Sequence, residues 1–223
     1  MYTGRDRTVD LCKNKMREIN GLKLRTEVLE KGRVRDKTLL DIGAGPLGII
    51  AARDFNCKVV SIDISREKLR EVKKEAAREG IKGIRCELED ATNLSYKDNK
   101  FDVVVSYGVL HHIPLDKREK FVHEAYRVAK EKVIIAEYTA VGFNLAHPGG
   151  EYKAVCLEWL EGELKSLGRV ERYTGREMNI YICFKSKNVT HKNPTMKESQ
   201  TTEFKKSLAE RKEIIENYRF YNA

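Results

Sequence analysis

The residues able to do chemistry fall in four short runs. The first is Leu39-Leu40-Asp41-Ile42-Gly43-Ala44-Gly45-Pro46-Leu47-Gly48. An apolar run that passes straight into Gly-x-Gly brings bare backbone up to a ligand at the carboxyl edge of a sheet, because no Cβ holds it off. Gly43, Gly45 and Gly48 also satisfy G-x-G-x-x-G, which by itself is a weak sign of a dinucleotide site. Asp41 argues against a dinucleotide: a carboxylate just before the first glycine repels a pyrophosphate and attracts an ammonium group. Asp63 lies 20 residues after Gly43, with Ile64 beside it. A carboxylate there can accept both hydroxyls of a ribose; its plainer role is a favourable acid at a helix N-terminus beside Ser65. The third run, Glu87-Leu88-Glu89-Asp90-Ala91-Thr92-Asn93-Leu94, is acidic. The fourth, Phe101 to Pro114, sets Ser106 and Tyr107 ahead of adjacent histidines, His111 and His112.

Absences narrow the chemistry. The run Ser106-Tyr107-Gly108-Val109 stands where enzymes acting on exocyclic base amines carry N/D-P-P-Y. No Pro-Cys follows the fourth or fifth apolar run, so covalent attack by cysteine is unsupported. The histidines form neither H-E-x-x-H nor another metal spacing, and no metal site is expected.

Positioning these runs requires alternating strands and helices. Lys37–Ile42 and Lys58–Asp63 read as strands of buried type, separated by a short helix over Pro46–Asp54. Ser65 is an N-cap candidate for a helix from Arg66 to Glu79 that ends at Gly80. Strands follow at Ile84–Leu88, Phe101–Ser106 and Lys132–Tyr138, with helices over Lys117–Lys130 and Glu151–Leu167. Arg169–Tyr173 and Asn179–Lys185 predict a closing antiparallel pair. Helical crossovers between strands imply a parallel sheet covered on both faces.

Residues 37–185 resemble the class I S-adenosylmethionine-dependent methyltransferases, in the small branch with His-His after the fourth strand. The resemblance implies an α/β, doubly wound, Rossmann-like sheet, mostly parallel with an antiparallel final strand and helices on both faces. It implies S-adenosyl-L-methionine as cofactor, with Asp41, Gly43 and Gly45 holding its amino-acid end and Asp63 and Ile64 its ribose. Asp90 and Ala91 would face the adenine, with Glu89 the competing acid, and Ser106 would touch the methyl-donating end. His111 would contact the acceptor or act as base, His112 less so, while Tyr107 would orient the acceptor or pack on the methionine chain. The family's usual third glycine falls at Leu47, with Gly48 following, so the course of the turn is altered. A sulfonium is already activated, so the protein mainly supplies alignment and excludes water. The alternatives are an NAD(P)-dependent oxidoreductase using the same turn, or a non-catalytic nucleotide-binding module.

The remainder of the 223-residue chain is bounded by composition. Its 41% hydrophobic content excludes wholesale disorder, and no apolar run reaches the ~20 residues of a membrane span. The first residues carry no apolar core, so no secretory signal is expected. Five scattered cysteines predict reduced thiols and a cytoplasmic protein. Net charge is +5 over residues 1–38, +1 over 39–185 and +3 over 186–223. The expected division is a basic helical segment or lid at 1–36, the methyltransferase domain at 37–185, and a linker plus amphipathic helix at 186–223. The basic ends admit RNA as a partner, and the stripe Phe204, Leu208, Ile215 and Tyr218 predicts docking or a homo-oligomer. Thr139 to Glu151 is the second lid candidate. The acceptor is left open between small molecule, RNA and protein.

Overall fold

The computed structural model describes residues 21–185. Of the basic ends that admit RNA, residues 1–20 and 186–223 lie outside the described residues, as does the docking helix at Glu203–Tyr218. The chain enters through helix α1 (Gly21–Gly32), then passes through β1 (Thr38–Ile42), α2 (Pro46–Asp54), β2 (Lys58–Asp63), α3 (Arg66–Arg78), β3 (Ile84–Leu88) and β4 (Phe101–Tyr107). Two short 3-10 turns, Leu110–His112 and Leu115–Lys117, lead into α4 (Arg118–Val128) and β5 (Ala129–Tyr138). Helices α5 (Ala140–Ala146) and α6 (Leu157–Leu167) precede the hairpin of β6 (Arg169–Thr174) and β7 (Met178–Phe184).

The strands form one sheet in the order β3-β2-β1-β4-β5-β7-β6. All pairings from β3 to β5 are parallel, and β7 runs antiparallel to both β5 and β6. The chain reverses its winding between β1 and β4, and the crevice that opens there at the carboxyl ends is where such sheets bind ligands. Strand alternation divides the core. Leu39, Val59, Val103 and Ile134 face α1 and α2, meeting Leu24, Val28 and Ile50. Leu40, Val60, Val104 and Ile135 face α4 and α6, meeting Phe121, Ala125, Leu160 and Leu164. The start of β1 is stapled to β4, since the Thr38 amide and hydroxyl both donate to Asp102 Oδ2 at 2.9 and 2.7 Å. No described helix is long and apolar enough to cross a membrane.

Two helix limits differ from the periodicity, each for a polar reason. Helix α4 stops at Val128 rather than Lys130. The Lys185 ammonium donates to the carbonyls of Tyr126, Arg127 and Ala129, which takes up the acceptors left open at a helix end. Helix α6 begins at Leu157 rather than Glu151. Buried Arg118 donates to the carbonyls of Lys153 (2.7 Å) and Ala154 (3.0 Å), and to those of Ile113 (3.0 Å) and His111 (3.3 Å). One guanidinium thus clamps the 153–154 strap to the histidine turn.

Arg118→Met should destabilise the chain by about 3 kcal/mol, because buried carbonyls left without donors cost ~1–3 kcal/mol each and strap and turn can relax only in part. Urea unfolding of the two proteins measures this, and an unchanged midpoint would remove Arg118 as the clamp.

Candidate active site

The turn after β1 is built around a buried carboxylate. Asp41 is 1% exposed; its carboxylate accepts from Ser61 Oγ on β2 at 2.8 Å and from the Gly48 amide in the first turn of α2. Gly45 caps α2 without a side chain and Pro46 follows it, so Asp41 supplies the acceptor that the helix N-terminus otherwise lacks. Gly48 is needed for that approach: a Cβ there would stand 2.6 Å from Asp41 Oδ2. The third glycine of the motif therefore serves Asp41. Burial pushes the Asp41 carboxyl up to about 7. The bonds from Ser61 and Gly48 and the charge of Arg25 oppose this rise, and Asp63 adds to it. Both bonds of Asp41 go to protein groups. The expected role of this carboxylate is direct attraction for an ammonium; in the fold it borders the cleft and holds the turn.

The glycines of the turn have separate jobs. Gly43 sits at φ +94°, open to glycine, and a Cβ there would lie 2.4 Å from Val109 Cγ2. Gly45 is extended at φ −172°, and an added Cβ would meet nothing nearer than the Gly43 carbonyl at 4.0 Å. That bare stretch faces a cleft of about 700 Å³, within the usual range for ligand pockets.

The cleft gathers most of the cofactor-binding candidates into one lining: Asp41, Gly43, Gly45, Asp63, Ile64, and the 89–91 segment. Asp63 Oδ2 accepts from the Ala44 amide at 3.1 Å and Oδ1 from the Ser65 amide at 2.8 Å, so this carboxylate orients both adjoining turns. Ser65 caps α3 by accepting from the Lys68 amide. Asp90 Oδ1 accepts from the Thr92 amide and hydroxyl, both at 2.8 Å, and the amide bond foremost holds its carboxyl below the usual range. Glu89 turns instead to Ser95, accepting from its amide at 3.3 Å and from its hydroxyl. Ser106 falls outside this lining. Strand alternation sends it to the α4 face, where it is buried and its hydroxyl has no partner among the described residues.

At the other end of the cleft the fold distinguishes the two histidines. Their rings stay neighbours, 4.0 Å between centres, but differ in burial: His112 lines the cleft with Tyr107 and Tyr152, whereas His111 stands behind it, 3% exposed. His111 Nδ1 pairs with Glu137 Oε1 at 2.8 Å, and Glu137 also accepts from the amides of Leu110 (3.1 Å) and Tyr138 (2.9 Å). His111 Nε2 lies 3.0 Å from His147 Nε2. The expectation that His111 touches the acceptor is thus shifted by the geometry to His112. Desolvation, then its neighbour His111, pushes His112 down to about 4, so it is neutral at pH 7. Burial pushes the Tyr107 phenol up to about 12, which keeps it a hydrogen-bond donor rather than a base.

Several lining residues lay beyond the sequence motifs. Arg25 comes from α1, where its guanidinium stacks 4.3 Å from the centre of the Tyr107 ring. Tyr152 comes from the clamped strap, and Lys68 and Lys117 from helix starts. Arg25 falls in the basic segment expected as a lid and His147 in the lid candidate Thr139 to Glu151, but no motif marked either residue, nor Tyr152 or Glu137.

A family model described as a methyltransferase domain matches residues 34–217. The chain belongs to the methyltransferase-domain family. Norajmaline N-methyltransferase of Rauvolfia serpentina is 32% identical over 98 residues, 43% of this chain and 33% of that protein. The chain thus aligns with about a third of that curated relative's length. The fold is shared with magnesium protoporphyrin IX methyltransferase (ChlM) of Synechocystis PCC 6803 with bound SAH, at TM-score 0.59 and 16% identity over 81% of this chain and 95% of that one. It is also shared with an S-adenosyl-L-methionine-dependent methyltransferase, so described as putative, of Methanococcus maripaludis, at TM-score 0.60 and 19% identity over 74% and 85%. Membership in the methyltransferase-domain family leaves the oxidoreductase alternative without support.

Two outcomes follow for this methyltransferase domain. Gly43→Ala should lower both stability and S-adenosylhomocysteine affinity, whereas Gly45→Ala should keep the melting temperature and lose affinity alone, roughly 10-fold or more for one displaced contact. Thermal melts and calorimetry separate the two; equal melting losses would contradict the division. Asp41 carries a proton in the folded chain at pH values where the unfolded chain has released it. Its contribution therefore weakens as pH rises from 3.8 towards 7, by about 4 kcal/mol at most at ~1.4 kcal/mol per unit. Urea unfolding of wild type and Asp41→Asn across that window should show wild type losing stability relative to the variant; a constant difference would contradict the buried, proton-binding carboxyl.

Proposed function

We propose that the chain transfers a methyl group from S-adenosyl-L-methionine to a nucleophilic atom of a small molecule. The observation that carries this reading is the single cleft that collects the bare Gly43–Gly45 turn, Asp63 and the Asp90–Ala91 segment, at the sheet's point of reversal. The donor set fits a cationic sulfonium nucleoside: carboxylates at Asp63, Glu89 and Asp90 line the cleft, and bare backbone lies at Gly45. Asp63 would accept the ribose hydroxyls, Ile64 would cover the sugar, and Asp90 with the Ala91 backbone would face the base. When bound, the cofactor supplies a methyl group on a sulfur already activated for displacement.

The chain's own residues then align the acceptor and keep water out. Tyr107, held under Arg25, donates a hydrogen bond from the floor. His112, Ile113, Pro114 and Tyr152 give the mouth an apolar and aromatic wall. Such a wall favours a small molecule with a flat or apolar body over RNA. Neutral His112 presents its ring at the mouth, next to where the acceptor would sit. A cytoplasmic setting accompanies this reading, supported by free thiols at Cys57, Cys86, Cys156 and Cys183.

Asp63→Ala tests the assignment. Two charge-assisted hydrogen bonds at ~1.5–3 kcal/mol each predict a drop in S-adenosylhomocysteine affinity of roughly 100-fold or more. Calorimetry on the folded variant reads this, and unchanged affinity would overturn the ribose assignment. Labelled cofactor incubated with cell extract should mark the small-molecule fraction; label in RNA or protein alone would overturn the acceptor class.

A further inference from the structure

Behind the cleft, three imidazoles from two distant segments meet. His111, His112 and His147 each offer a ring nitrogen, and these atoms all lie within 4.8 Å of one another. The shortest separation, 3.0 Å between the Nε2 atoms of His111 and His147, is close to the ~3.3 Å edge of a tetrahedron with metal–nitrogen bonds of ~2.0–2.1 Å. His112 is exposed, so its ring has room to close the remaining distance by rotation.

The surroundings resemble a ligand site more than a chance meeting of rings. Glu137 is 1% exposed and is held by two backbone amides, which fixes its carboxylate against His111 Nδ1. That contact makes Nδ1 the protonated nitrogen and leaves the Nε2 lone pair aimed at His147, the way outlying carboxylates orient metal-binding histidines. An aromatic shell covers the group. Tyr152 lies 4.3 Å from His112 and 5.1 Å from His147, while Phe143 lies 5.2 Å from His147, all between ring centres. The Arg118 clamp and the capped helix α5 fix the segments that bring His147 and Tyr152 into place.

We propose that His111, His112 and His147 bind one divalent transition ion of the imidazole-preferring class, such as zinc or cobalt. Three protein ligands leave a fourth position, and His112 opens that position towards the cleft. A heteroatom of the acceptor can occupy it. The expectation of no metal site came from the absence of a sequence spacing. Here the third ligand lies 36 residues from the first, on a separate helix end.

The test uses the full chain without an affinity tag, stripped with chelator. Zinc titration by calorimetry should show one ion per chain, and cobalt should give the visible absorption of a four-coordinate site. His147→Ala should abolish the cobalt spectrum and weaken zinc by at least 100-fold. Glu137→Gln should weaken it by roughly 10–100-fold, the usual effect of removing an orienting carboxylate. His147 lies outside the cofactor lining, so S-adenosylhomocysteine affinity and melting temperature serve as fold controls. Absence of stoichiometric zinc binding by the folded wild type would overturn the site, as would equal affinity in His147→Ala. Failure of the wild type to bind S-adenosylhomocysteine would instead count against the cofactor reading, which the metal titration does not use.

Discussion

The buried Asp41 carboxylate is the constraint from which the rest of the site follows. A carboxyl group with 1% exposure is tolerable only where donors surround it, and here they come from β2 and from the N-terminus of α2. Those two bonds fix how closely α2 approaches the sheet. They dictate a glycine at position 48, and they leave the Gly43–Gly45 backbone bare at the strand ends. The dipole of α2 contributes in the same direction, since its positive end meets the carboxylate. Removing charge from this point would disturb the cleft before it disturbed the core.

Polar tethers of the same kind position the other end of the cleft. Arg118 ties the histidine turn to the 153–154 strap, and Glu137 ties the same turn to the end of β5. Each buried charge is met by several backbone groups, so it specifies one arrangement of loops that hydrophobic packing alone would leave loose. The apolar layers on the two faces of the sheet supply cohesion. The buried polar groups decide where the loops go.

This division explains what was legible in the sequence. The mostly parallel sheet and its antiparallel last strand followed from alternating apolar runs and from the methyltransferase resemblance. That Gly43, Gly45, Asp63 and Asp90 share one cleft was legible because each sits at or just past a strand end, where position along the sheet and position in the cleft coincide. Asp41 was found for the wrong partner, because its residue type indicates charge but not the Gly48 amide that claims it. Ser106 was misplaced by one residue of strand alternation, with Tyr107 taking the cleft-facing position. The lining from Arg25 and Tyr152 was hidden, since α1 and the strap reach the cleft through tertiary packing rather than through any local spacing.

The histidine pair shows the same limit most sharply. Adjacent residues on a strand would face opposite sides of the sheet, and on an α-helix they would diverge by about 100°. In the 3-10 turn the two rings remain 4.0 Å apart between centres, yet His111 is buried while His112 lines the cleft. Which one enters is decided by the acceptor waiting inside, and that acceptor, Glu137, is fixed by its own bonds to Leu110 and Tyr138. The cleft wall formed by Gly43, Gly45 and Asp63 is therefore written locally, at strand ends. The far end of the cleft instead depends on three segments, the histidine turn, the end of β5 and the 153–154 strap, joined by the bonds of Arg118 and Glu137.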